Sequence, residues 1–66
     1  MRIPLSKDLL IALINAKQYA RDTGNLIYVY RVNDTFFMDR EYENGWVAKC
    51  YPGGRTISAL WEANSA

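Results

Sequence analysis

Apolar periodicity changes once along this chain, at Gly24, and that change limits the folds open to it. Before Gly24 the apolar residues recur at helical spacing. Leu9, Leu10, Ala12, Leu13, Ile14, Ala16, Tyr19 and Ala20 gather on one wide side of a 3.6-residue wheel. After it, "NLIYVYRVNDTFFMDREYENGWVAKCY" (25–51) is rich in β-branched and aromatic residues and is broken twice by turn residues. One helix followed by antiparallel strands is an α+β arrangement.

The helix is predicted over residues 7–23. Ser6 is a good N-cap, because its hydroxyl oxygen can accept from an orphan amide of the first turn. Leu5 and Leu10 are spaced as a hydrophobic staple, and Asp8 sits where the helix field favours an anion. Gly24 supplies the left-handed residue that ends the helix. Ile11 falls among the polar residues of the far side, where a partner could touch it.

Asn33-Asp34 and Asn44-Gly45 both suit two-residue hairpin turns. They predict strands at about 26–32, 35–43 and 46–51 in a three-stranded antiparallel meander, with the second strand central. The register then sorts the side chains. One face holds Tyr28, Tyr30, Phe37 and Trp46 with Asp39, Glu41, Ala48 and Cys50. The other holds Ile27, Val29, Phe36, Met38, Val47 and Tyr51 with Arg31, Arg40 and Lys49. The aliphatic face is the expected core, where Leu9, Leu13, Ala16 and Ala20 meet Ile27, Val29, Met38 and Val47. Its cations reach the rim on long stems. The competing arrangement packs the aromatics inward. Beyond the "PGG" turn at 52–54, "RTISALWE" fits either a fourth strand to about Leu60 or a short C-terminal helix.

With 66 residues the chain is read as a single domain, 1–66. A domain this short buries only about 60% of its unfolded surface, so a partner would help its stability. Eight basic and seven acidic residues leave a net charge of +1, which gives no long-range attraction to nucleic acid or anionic lipid. A lone cysteine excludes an internal disulfide and suggests a cytoplasmic protein. The longest apolar run, "LLIALI" (9–14), is too short for a membrane span.

Chemistry is thinly represented. There is no histidine, hence no imidazole base or metal ligand. Cys50 reads as a buried structural thiol, and Asp39 with Glu41 as a solvated pair. Neither "YPGGR" nor "DTGN" has the spacing of a phosphate loop. No enzyme activity, metal, cofactor, small-molecule substrate or membrane association is expected. The spare aromatic face suggests a protein-binding module, self-associating or acting as a regulator or inhibitor of a larger protein. The regulator reading is by analogy with compact phage and other mobile-element proteins that lack enzymatic apparatus. The expected contacts are Tyr28, Tyr30, Phe37 and Trp46, joined by Ile11. The alternative is nucleic-acid binding by the same aromatics with Arg31, Arg40 and Lys49 as a basic patch. The α-β-β-β-α order is shared with double-stranded RNA modules, but the tail here is short and lacks a basic helix start.

Overall fold

A computed structural model describes residues 2–59. Its elements are β1 (Ile3–Ser6), α1 (Leu9–Thr23), β2 (Ile27–Val32), β3 (Thr35–Asp39), β4 (Trp46–Cys50) and β5 (Thr56–Ser58). The strands form one sheet in the order β1-β3-β2-β4-β5, with every neighbouring pair antiparallel. α1 packs on one face, so the α+β class with an N-terminal helix on antiparallel strands is observed. No helix among the described residues is long and apolar enough to cross a membrane.

The helix ends where its capping groups put it. Gly24 takes the left-handed conformation at φ 71°, and its amide donates to the Ala20 carbonyl at 2.9 Å. At the other end the N-cap is Asp8 rather than Ser6. The Asp8 carboxylate accepts from the amides of Leu10 (2.9 Å) and Ile11 (3.3 Å). Ser6 stands two residues earlier, its hydroxyl accepting from the Asp8 amide at 3.0 Å. A carboxylate is the stronger acceptor in the positive field of a helix start, so the cap falls on it. No staple closes over this turn, because Leu10 is exposed and Leu5 packs against the core from β1.

Alanines set the distance between helix and sheet. Ala12, Ala16 and Ala20 recur every fourth residue, are fully buried, and meet Ile27, Val29, Phe36, Met38, Ala48 and Cys50. Leu13, Tyr19 and Val47 pack around this centre half-buried. The aliphatic face of β2 and β3 is therefore the core, as expected. Leu9 was expected inside as well but is 44% exposed, because it starts the first turn at the end of the helix.

Two features of the sheet correct the meander. First, the β2–β3 hairpin has the predicted register, with Val32 opposite Thr35, Tyr30 opposite Phe37 and Tyr28 opposite Asp39. β4, however, pairs with β2 rather than β3, so β2 is the central strand. A type I′ turn needs positive φ at both central residues. Gly45 has it (φ 92°), whereas the only non-glycine residue with positive φ among those described is Asn33 (φ 58°). Asn44-Gly45 is thus a bend in a crossover that carries the chain from β3, past β2, to β4. Second, a bulge places Val47 as an extra residue between Ala48, opposite Val29, and Trp46, opposite Tyr30. Trp46 stays on the aromatic face, while Ala48 and Cys50 turn inward and Lys49 turns outward.

Both edges are modified. β1 contains Pro4, whose missing amide is tolerated because β1 pairs on one side only. β5 is a three-residue strand after a turn closed by Gly54 (φ 99°) and by the Tyr51 amide donating to the Arg55 carbonyl at 2.7 Å. This is the fourth strand of the two options for the tail; it stops at Ser58, and Ala59 after it already has helical backbone. The part of that prediction from Leu60 onward lies outside the described residues.

Candidate functional site

Two surfaces can make contacts, the sheet face away from α1 and the outer side of α1. The sheet face is partly occupied by the chain itself. Residues 40–45 link strands that flank β2, and they lie over its aromatic side. The Tyr30 hydroxyl donates to the Glu41 carbonyl at 2.8 Å. Tyr42 meets the Tyr28 ring edge-on with centroids 5.7 Å apart, and Tyr28 lies 6.2 Å from Trp46 and 6.4 Å from Tyr30. Arg2 stacks over Tyr30 at 5.4 Å and is ion-paired with Glu43 of the crossover. Lys49 stacks on Trp46 at 4.9 Å.

The predicted contact residues accordingly divide. Tyr30 is only 3% exposed, and burial raises its hydroxyl pKa. Its ring supports the crossover and is not an open contact. Tyr28, Phe37 and Trp46 are half-buried on the same face, with Phe37 opposite Tyr30 in register. Ile11 lies on the other side of the molecule, 50% exposed. The basic residues do not form a patch. Arg31 lies near the β2–β3 turn, its Nε donating to the Asn33 carbonyl at 3.0 Å. Arg40 lies past the opposite end of that hairpin, and Lys49 is on the aromatic face rather than the helix face.

The titratable groups read as structural. Asp39 accepts from the Glu41 amide at 3.1 Å, a bond that lowers its pKa. The two carboxylates thus begin the crossover and do not share a strand face. Cys50 is fully buried, which raises its thiol pKa and keeps it from the reactive thiolate form.

The outer side of α1 differs from the sheet face in its exposed aliphatic area. Leu10 is 68% exposed and Ile14 58%, and Ile11 and Leu9 adjoin them. Ile14 also lines an open depression of about 200 Å³ with Lys17, Gln18 and Arg21. That volume is too small to hold a drug-sized ligand. The sequence marked Ile11 alone, because a broad wheel assigned Leu10 and Ile14 to the core. The alanine row, narrower than the apolar side, was the available sign that they lie outside it.

No family model, curated protein or solved structure matches the chain.

Proposed function

We propose that the chain is a small non-enzymatic protein-binding module whose principal contact is the exposed aliphatic side of α1. The observation that carries this reading is Leu10 and Ile14, exposed side by side on successive turns with Ile11 adjoining. Contiguous apolar surface of this kind marks contact sites when it lies on a folded scaffold. A regulator or inhibitor of a larger protein fits it, since such a chain acts by occupying a surface. Half-buried Tyr28 and Trp46 are a secondary contact, because their rings are already packed by the crossover.

The test is affinity capture with cross-linking, comparing the wild type with a Leu10→Asp, Ile14→Asp variant and a Tyr28→Ala, Trp46→Ala variant that both remain folded. The expected outcome is a partner cross-linked to α1 that the first variant loses and the second largely retains. Equal recovery by the wild type and the α1 variant rejects the surface.

Single-stranded nucleic acid is a second reading, favoured by Lys49 over Trp46 and Arg2 over Tyr30 on the aromatic face. It predicts oligonucleotide binding that weakens with salt and with loss of Lys49. Glu43, ion-paired with Arg2 on that face, opposes it.

A further inference from the structure

We infer that the flank of α1 carrying Leu10, Ile14, Lys17 and Arg21 seats one amphipathic helix of a partner protein, with acidic residues beside its apolar row. The inference rests on the protein-binding reading and specifies the partner's chemistry. These four residues are spaced by four, three and four positions, so they form one row along the helix. The row is turned roughly a third of a circle from the buried alanines. It faces the β4–β5 side of the molecule. The Arg21 guanidinium lies 3.4 Å from where a Cβ on Gly54 would stand, and the charge of Lys17 acts on Cys50. α1 packs on β1, β2, β3 and β4, and the sheet continues beyond it to β5. A shelf beside a helix, bordered by a row at this spacing, suits a second helix packed ridge into groove.

Charge selects among helices. The row is aliphatic in its N-terminal half and cationic in its C-terminal half, with no acidic member. The nearby acids are engaged elsewhere. Asp22 accepts from Gln18 Nε2 at 2.8 Å, and Asp8 caps the helix start. Neither Lys17 nor Arg21 forms an ion pair with a described residue. A second copy sharing this row offers Lys17 and Arg21 only the same four residues, none of them acidic. An acidic helix satisfies them while its apolar row covers Leu10 and Ile14.

The experiment uses the full chain and two labelled synthetic helices of about five turns. Both carry the same leucine row, flanked by glutamates in one and lysines in the other. Fluorescence anisotropy is expected to show the glutamate helix binding at least about tenfold tighter. Leu10→Asp with Ile14→Asp weakens it about tenfold or more, and Lys17→Glu with Arg21→Glu reverses the preference toward the lysine helix. Circular dichroism confirms that each variant is folded. Equal affinity for the two helices, no binding by either, or a preference indifferent to charge reversal overturns the inference. So does a concentration-dependent dimer in light scattering that Leu10→Asp abolishes, or binding to anionic phospholipid vesicles in place of the helices. A tenfold gain in affinity on Leu60→Ala with Trp61→Ala makes the chain's own tail the occupant and also overturns it. Capture of a partner lost in the α1 variant, with no response to charge reversal, leaves the protein-binding reading standing and removes only the acidic helix.

Discussion

Tyr30 shows how one side chain can change the meaning of a surface. In the sequence it is one of several aromatics on a face with nothing to cover them. In the fold its hydroxyl holds the Glu41 carbonyl and its ring lies beneath Arg2. Tyr30→Phe removes the hydrogen bond and leaves the ring, so the expected loss is about 1 kcal/mol in a denaturant melt. A loss near zero would show that the bond does not fasten the crossover. Asp39 makes a pH prediction at the same place. Its folded pKa is lowered, first by the bond from the Glu41 amide, below the ordinary 3.8. At acid pH the unfolded carboxyl binds more proton than the folded one. The stabilisation is thus fully present above the ordinary value and is lost as pH falls through the lower folded value. Urea melts from about pH 6 down to about pH 2 should show a steeper acid loss in the wild type than in Asp39→Asn. Parallel curves would mean that Asp39 does not contribute.

At the scale of elements, what could be read from the sequence followed local chemistry. Gly24 ended α1 as a left-handed cap, and the Asn33-Asp34 turn fixed the β2–β3 register. β1 is hard to read in the sequence because it is only four residues long and contains Pro4, which a sheet tolerates on an edge strand but not in a central one. The position of β4 escaped notice because Asn-Gly is a hairpin signal only when both residues adopt positive φ, and Asn44 does not. The Val47 bulge then reversed the faces of Ala48, Lys49 and Cys50, a displacement that alternation alone does not encode. The candidate contacts shifted for the same reason: with the aromatics partly covered by the crossover, Leu10 and Ile14 are the most exposed of the large aliphatics. The alanine row gives this scale its prediction. With Ala16 fully buried against the sheet, Ala16→Leu forces helix and sheet apart and should cost about 1 to 3 kcal/mol. Leu13→Ala, at a half-buried position, should fall toward the lower end of the roughly 2 to 5 kcal/mol range for buried leucines. Denaturant midpoints compare the two. A neutral Ala16→Leu would mean that the helix does not rest on its alanines.

For the molecule as a whole, among the described residues, one side of the sheet is partly covered by its own crossover and the other by α1, which leaves the β5 margin beside it. So small a domain has few core residues to spare, and Leu10 and Ile14 add little to stability while they face water. Their contribution can arise only when something covers them. A ligand that binds the folded form alone stabilises it by mass action, by about 2.7 kcal/mol at a hundredfold excess over its dissociation constant. For a domain of 60 to 100 residues each kcal/mol moves the melting temperature by about 4 to 8 °C, so saturation with the glutamate helix should raise it by about 10 to 20 °C. Scanning calorimetry with and without that helix measures the shift, and the Leu10→Asp, Ile14→Asp variant should show almost none. These substitutions lie on exposed positions, so the unliganded variant should melt within a few degrees of the wild type. If the unliganded variant instead melts far lower, the two residues support the fold itself and the contact surface lies elsewhere.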